Sequence, residues 1–80
     1  MTEIDALTLT IYAYIVAYLR EKGFAPSLRD IGKGCHLSHT TVYGHLGILE
    51  GKGWIAREYK VPRSIRLGEQ APDYIPPKQH

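Results

Sequence analysis

The sequence has few of the residues that hold small proteins together through disulfides or metals. Cys35 is the one cysteine among 80 residues, so an internal disulfide is excluded. Around His36, His39 and His45 no pattern of thiols or carboxylates completes a metal site. We therefore expect no metal and no cofactor, a core that depends on packing alone, and a reducing compartment.

A long hydrophobic run is also missing. The apolar stretch from Leu7 to Leu19 is interrupted by Thr8 and Thr10, and it is too short to span a bilayer core of about 30 Å. No basic segment precedes the first apolar residues, as it would in a signal peptide. These features predict a soluble cytoplasmic domain without a membrane partner.

The net charge of the chain is low, at +2, and does not by itself identify a binding partner. Its distribution is more informative. From Ser27 to Arg66 there are seven basic and three acidic residues, a net charge of +4, so the remainder carries −2. One part of the molecule should therefore attract polyanions.

The length of 80 residues predicts a single domain. Such a domain is too small for most enzymes that need two lobes.

The first periodic segment predicts a helix from about Asp5 to Lys22. Asp5 suits the N-cap, and Gly23 suits the left-handed position beyond the last turn. Tyr14 and Tyr18 lie four residues apart on a side of this helix. Two interpretations of this tyrosine stripe stay open: it packs against the carboxyl-terminal part of the chain, or it forms a dimer surface.

Two further helices are predicted, joined by a tight turn. Ser27 caps the second helix, over about residues 28–35, and forms a near capping box with Asp30. Ser38 caps the third helix, over about residues 39–51. The polar amino end of this third helix follows the turn directly, which is the arrangement of a helix-turn-helix.

Glycine is frequent within these two helices. Five of the eight glycines fall there, at Gly32, Gly34, Gly44, Gly47 and Gly51. An interior helical glycine costs about 1 kcal/mol relative to alanine, so we expect a soft domain. Close crossing of the two helices gives Gly32 a structural reason, whereas Gly47 has none. Alanine at position 47 should therefore raise the melting temperature.

After the third helix the pattern favours β-structure. Residues 54–59 and 64–67 predict two strands, joined by a turn over residues 60–63. In the second strand Ile65 and Leu67 alternate with polar residues, which predicts that both are buried. Trp54 is expected to pack as core beneath this hairpin.

This order of elements predicts a fold that is mainly α with a small β-hairpin, a winged helix-turn-helix of three helices plus a two-stranded wing. The domain is expected to cover residues 1–68, with residues 69–80 as a flexible tail. A helix with short polar side chains at its amino end can enter a major groove about 12 Å wide, and a basic hairpin can reach the backbone or the minor groove. Double-stranded DNA is the predicted partner.

Two segments also resemble a known family. Residues 23–32 (GFAPSLRDIG) and residues 64–67 (SIRL) are similar to parts of the DNA-binding domain of the LexA repressor, and residues 37–55 match the wider bacterial winged-helix pattern. The resemblance covers about residues 5–67. It implies sequence-specific repression with the third helix in the major groove. Because single modules of this size bind weakly alone, we expect two copies on an inverted-repeat operator, with a homodimer possible.

Two departures from the family limit what is carried over. Residues 31–46 form a stretch one residue shorter than is usual, so the operator sequence is not transferred. The sequence ends at His80 without the carboxyl-terminal self-cleavage domain of the family. We therefore expect no autoproteolysis from these residues, and a dimer would need another surface.

The resemblance implies a set of base-facing residues on the third helix, namely His39, Thr40, Tyr43 and Gly44. Ser38 and Thr41 are expected near phosphates. Thr40 bonds several bases or touches a thymine methyl, so alone it discriminates weakly. At Gly44 two interpretations stay open, a closer approach of the backbone to DNA or a simple loss of contact.

Phosphate contacts are expected from two other places. Ser27 and Arg29 begin the helix that crosses the DNA backbone in this motif, although Ser27 also caps it and Arg29 is otherwise a solvated charge. Lys60 and Arg63 flank the hairpin tip; they bind phosphate or the minor groove, or they are ordinary exposed turn residues. Two weaker candidates are Lys52 and Arg57.

The predicted fold is also compatible with functions other than DNA binding. A winged helix can instead be a protein–protein interaction module, with the tyrosine stripe or the Tyr43 face as its surface. Cys35 beside His36 suggests a nucleophile and a base, but adjacent side chains at a helix end point apart and no oriented acid is evident. We therefore expect no enzymatic activity and no small-molecule substrate.

Overall fold

Three helices and a short antiparallel hairpin follow one another in the computed structural model, which describes residues 5–58 and 60–72. The elements are α1 (Ala6–Lys22), α2 (Leu28–Cys35), α3 (His39–Gly51), β1 (Ile55–Ala56) and β2 (Arg66–Leu67). The predicted winged helix-turn-helix is confirmed. None of the described helices is long and apolar enough to cross a membrane.

The ends of the helices are set by local hydrogen bonds. Asp5 accepts the backbone N–H of Thr8 at 2.7 Å and caps α1. At the other end Gly23 has φ +81°, and its N–H donates to the Leu19 carbonyl at 3.0 Å. The turn after α2 contains His36 at φ 59°, a left-handed conformation that histidine adopts more readily than most residues. These ends are the ones that the sequence predicted.

One core lies between the helices and the base of the hairpin. Its fully buried members include Ile11 and Ile15 from α1, Ile31 from α2 and Leu46 from α3. A hydrogen bond of 2.6 Å joins the buried Thr8 hydroxyl of α1 to Nδ1 of His45 in α3. The three helices therefore fix one another, and the exposed side of α3 has a defined orientation.

The hairpin departs from prediction in its extent and in one buried position. Its strands pair over two residues each, with Ile55 opposite Leu67, and residue 59 of the predicted first strand lies outside the described residues. Ile65 is buried, but Leu67 is 45% exposed, so its predicted burial is wrong. The reason is that β1 packs against α3, whereas β2 pairs with β1 farther from the core.

Trp54 lies at the edge of the core. It is half-buried, and its ring meets the edge of the Tyr12 ring at a centroid distance of 5.0 Å. Residues 69–72 of the predicted tail turn back toward it, because the Gln70 N–H donates to the Gly53 carbonyl at 2.9 Å. The rest of the predicted tail, residues 73–80, lies outside the described residues.

The tyrosine stripe packs within the chain. Tyr14 lies directly over α2, where a Cβ atom at Gly34 would overlap its ring. Tyr18 contacts the Phe24 ring at 5.8 Å and bonds to Asp30 and Arg63. Tyr14 thus packs on α2 and not on the carboxyl-terminal part of the chain as predicted, whereas Tyr18 does reach Arg63 of the hairpin. The position of Tyr14 explains why position 34 is glycine.

Alanine substitutions at two helical glycines should change the melting temperature in opposite directions. A Cβ at Gly47 would have nothing within 4 Å, so Gly47→Ala should stabilise the domain by about 1 kcal/mol and raise the melting temperature by roughly 4–8 °C. Gly34→Ala, which is also helical, should lower it because Tyr14 is displaced. Thermal unfolding followed by circular dichroism measures both. An equal shift in the same direction for the two variants would contradict this account.

Candidate nucleic-acid interface

The third helix has one buried and one exposed face. Val42, Leu46 and Leu49 are fully buried. The opposite face, open to solvent, includes His39, Thr40, Tyr43, Gly44, Gly47 and Ile48. The four residues predicted to face bases therefore lie together on one exposed surface. A Cβ at Gly44 would meet nothing within 4 Å, so no packing inside the chain requires glycine there.

Ser38 and Thr41 bond to each other at the start of α3. The Ser38 hydroxyl accepts the Thr41 N–H at 3.2 Å and donates to the Thr41 hydroxyl at 2.9 Å. Both side chains thus order the first turn. Backbone N–H groups in the first turn of a helix have no partner within the helix, so this end of α3 suits an anion.

A complete capping box begins α2. The Ser27 hydroxyl accepts the Asp30 N–H at 3.1 Å, and the Asp30 carboxylate accepts the Ser27 N–H at 3.0 Å. Asp therefore performs the role that Glu or Gln usually has in this motif. Arg29 lies between these two residues in the sequence and is exposed.

Two open grooves flank the amino end of α3. A large groove of about 680 Å³ lies between the start of α2, the exposed face of α3 and the hairpin tip, and it is lined by residues that include Ser27, Tyr43 and Lys60. A small groove of about 240 Å³ lies between α2 and the start of α3, with Lys33 on its wall. Arg29 and His39 line both grooves.

Ion pairs involve some of the charged residues of the basic segment, Ser27 to Arg66. Each of its three acidic residues meets an arginine: Glu50 with Arg57 at 3.2 Å, Asp30 with Arg63 at 3.0 Å, and Glu58 with Arg66 at 4.0 Å. Within each pair the two charges offset each other. The other cations of the segment include Arg29, Lys33 and Lys60, which line the two grooves and concentrate positive charge beside α3.

The two cations of the hairpin tip have different surroundings. Lys60, at φ 72°, is exposed at the rim of the large groove. Arg63 turns toward the helices, where its guanidinium donates to the Ala25 carbonyl at 3.0 Å and pairs with Asp30. Neither description of Arg63 from the sequence, a phosphate ligand or a solvated turn residue, anticipated these contacts.

Arg57 contributes to the exposed face of α3 from the neighbouring strand. Its guanidinium lies 4.8 Å from the centre of the Tyr43 ring, while its Nε donates to Glu50 at 3.2 Å. The Arg57 side chain is only 9% exposed. Tyr43 is therefore held from one side by a buried, paired cation. Arg57 was only a weaker candidate in the sequence, because its position opposite Tyr43 depends on how β1 packs against α3.

Comparison with known proteins agrees with this geometry. The family model described as the LexA DNA binding domain matches residues 1–64. The chain belongs to the LexA DNA-binding domain family.

Curated relatives extend the match. The LexA repressor of Staphylococcus carnosus is 44% identical over 68 residues, covering 84% of this chain and 33% of the relative. That of Listeria welshimeri is 48% identical over 58 residues, covering 71% and 28%. That of Bacillus subtilis is 41% identical over 80 residues, covering 99% and 38%. The chain thus spans about a third of the length of these relatives.

The region that the LexA family model covers is a DNA-binding domain and not a catalytic one. Burial raises the pKa of the Cys35 thiol, which is the opposite of what activates a cysteine nucleophile. In residues 5–58 and 60–72, no three side chains of His, Cys, Asp or Glu gather where they could hold a metal ion.

The capping carboxylate makes a pH prediction. The Ser27 backbone N–H, with added contributions from Arg63 and Tyr18, holds the pKa of Asp30 below its ordinary value of 3.8. Because the folded-state pKa is lowered, the stability that Asp30 contributes is present above this ordinary value and is lost as pH falls through the folded-state pKa.

Asp30→Asn should therefore melt well below the unmodified chain at neutral pH, and the gap should narrow steadily below about pH 4. Thermal unfolding of both chains between neutral and strongly acidic pH measures this gap. A gap that stays constant across the whole range would show that the charge of Asp30 does not stabilise the fold.

Proposed function

We propose that this chain recognises a specific sequence in double-stranded DNA and represses transcription there, with α3 in the major groove and the hairpin on the backbone or minor groove. One observation carries the proposal. The exposed face of α3 bears polar and small side chains, and the two grooves beside it are lined by the cations Arg29, Lys33 and Lys60. Such a surface combines an element that fits a DNA groove with charges that fit its phosphates.

The residues divide by role. His39, Thr40, Tyr43 and the bare backbone at Gly44 face the bases. Two kinds of group bind the phosphates: the charged side chains of Arg29 and Lys60, and the amino ends of helices. The first turns of α2 and α3, capped by Ser27 and by the Ser38 and Thr41 pair, supply backbone N–H groups.

Two copies of the chain bind an inverted repeat. A single domain of this size buries a modest interface on DNA, and a second copy related by two-fold symmetry doubles the contacts without new chemistry. The protein acts at the bacterial nucleoid, in the cytoplasm. The alternative of a protein-interaction module has less support, because Tyr14 and Tyr18 of its candidate surface pack against α2, Phe24 and the hairpin tip.

Selection from a random duplex pool tests DNA recognition. We expect enrichment of a two-fold symmetric sequence, and an affinity whose logarithm falls linearly with the logarithm of salt concentration. Lys60→Ala should weaken all duplexes alike and reduce the salt slope by about 0.9 per bound copy, whereas Thr40→Ala should change the enriched sequence.

Arg20→Ala is the matched control for Lys60→Ala, because Arg20 is an exposed cation of α1 that lines neither groove. It should leave the enriched sequence unchanged and the salt slope nearly so. A salt-independent affinity with no enriched sequence would reject DNA binding as the function of this chain.

Arg57→Lys tests the role of Tyr43. Lysine keeps the charge beside Glu50 but lacks the planar guanidinium that lies against the Tyr43 ring. Such contacts contribute about 0.5–1 kcal/mol, so preference for the base read by Tyr43 should fall roughly two- to fivefold with little change in salt slope. Tyr43→Ala should relax the same position of the enriched sequence. Relaxation of a different position would show that Arg57 acts elsewhere.

A further inference from the structure

The guanidinium of Arg63 joins the hairpin tip to the start of α2. Its Nη1 atom lies 3.0 Å from Oδ2 of Asp30, 3.0 Å from the Ala25 carbonyl oxygen and 3.3 Å from the Tyr18 hydroxyl. Its central carbon lies 5.3 Å from the centre of the Phe24 ring. Four contacts thus converge on one side chain of the tip, and all four partners belong to the helical part of the chain.

Asp30 is shared between this contact and the cap of α2. The same Oδ2 atom accepts the Ser27 N–H at 3.0 Å and the Tyr18 hydroxyl at 3.2 Å. Tyr18 also accepts from Arg63, so the three side chains form a closed set of hydrogen bonds. These hydrogen bonds therefore fix the position of Arg63 relative to the first turn of α2, where Arg29 lies.

Burial of Ile65 anchors the base of the hairpin in the core, whereas strand pairing fixes its tip only weakly. The strands pair over two residues each, and a short isolated hairpin is marginally stable in water. Hydrogen bonds between Glu58 and Ser64 tie one strand extension to the other but not to a helix. Lys60 and Arg63 both have positive φ, at 72° and 56°, a conformation that non-glycine residues keep only when their surroundings hold it.

We propose that Arg63 is a positioning residue for DNA binding: through Asp30 it sets the separation between the hairpin tip and α2, so that Lys60 and Arg29 reach phosphates on opposite sides of the large groove at once. The proposal rests on the proposed DNA contact of Lys60. Arg63 itself does not contact DNA in this account.

A direct phosphate contact of Arg63 makes the opposite prediction for one variant. If Arg63 binds phosphate, Asp30 is merely an anion beside the DNA, and Asp30→Asn should tighten binding by removing a repulsive charge. If Arg63 positions the tip, Asp30→Asn should weaken binding, because the carboxylate that holds Arg63 is lost. Asparagine still accepts a hydrogen bond from the Ser27 N–H, so the cap of α2 is kept.

The test measures affinity for the selected duplex and for a random duplex of equal length, over a range of salt, at a temperature where each variant is folded. We expect Asp30→Asn and Arg63→Ala each to weaken both duplexes by about threefold to tenfold, and the double variant to be no weaker than Arg63→Ala. Tighter or unchanged binding by Asp30→Asn overturns the proposal.

The salt slope supplies a second readout that altered stability alone would not move. Lys60→Ala should reduce the slope by about 0.9 per bound copy in the unmodified chain and by almost nothing in the Arg63→Ala background, where the tip no longer presents Lys60. Arg66→Ala is the matched control: Arg66 is a hairpin cation paired with Glu58 at 4.0 Å, and its loss should leave the Lys60 effect intact. An undiminished Lys60 effect in the Arg63→Ala background overturns the positioning role.

The two proposals fail differently. Absence of salt-dependent binding in the unmodified chain rejects DNA binding and the positioning role together. Binding that persists while Asp30→Asn tightens it rejects the positioning role alone. If Asp30→Asn does not fold, Tyr18→Phe replaces it, because losing the hydroxyl loosens the Arg63 and Asp30 pair without changing the net charge. Weaker binding of both duplexes then supports the proposal, and unchanged binding counts against it.

Discussion

One carboxylate oxygen connects α1, the start of α2 and the hairpin tip. Oδ2 of Asp30 accepts hydrogen bonds from the Ser27 backbone, the Tyr18 hydroxyl and the Arg63 guanidinium, all within 3.2 Å. The Ser27 bond begins α2, the Tyr18 bond joins α2 to α1, and the Arg63 bond holds the hairpin tip. These three bonds share a single acceptor, which therefore joins two helices and the hairpin tip at one wall of the large groove.

Ion pairs also determine how charge is distributed over the segment from Ser27 to Arg66. The acids of the basic segment are each paired with an arginine, while Arg29, Lys33 and Lys60 line the grooves beside α3. A low net charge for the whole chain is therefore compatible with a basic surface. Paired arginines make directional hydrogen bonds and stack on rings, whereas lysine acts as a point charge, which suits these two uses.

Much of the fold was predictable because it depends on local interactions. The N-caps Asp5, Ser27 and Ser38 bond within three residues of themselves, so their identity and spacing are visible in the sequence. The exposed face of α3 was predictable for a similar reason, since helical periodicity alone separates it from Val42 and Leu46. The exposure of Leu67 was not predictable, because periodicity within a strand does not reveal how far that strand lies from the core.

The sequence by itself determined where the helices begin and end, which side of α3 is exposed, and the resemblance to the LexA family, since each depends on neighbours a few residues apart or on residue order. Only the tertiary structure decided which cations pair with other side chains of the chain. Arg63 meets Asp30 across 33 positions, and Arg57 meets Tyr43 across the packing of β1 on α3. Ion pairs between distant residues depend on how whole elements pack, and for that reason the sequence did not predict that Arg63 is paired with Asp30.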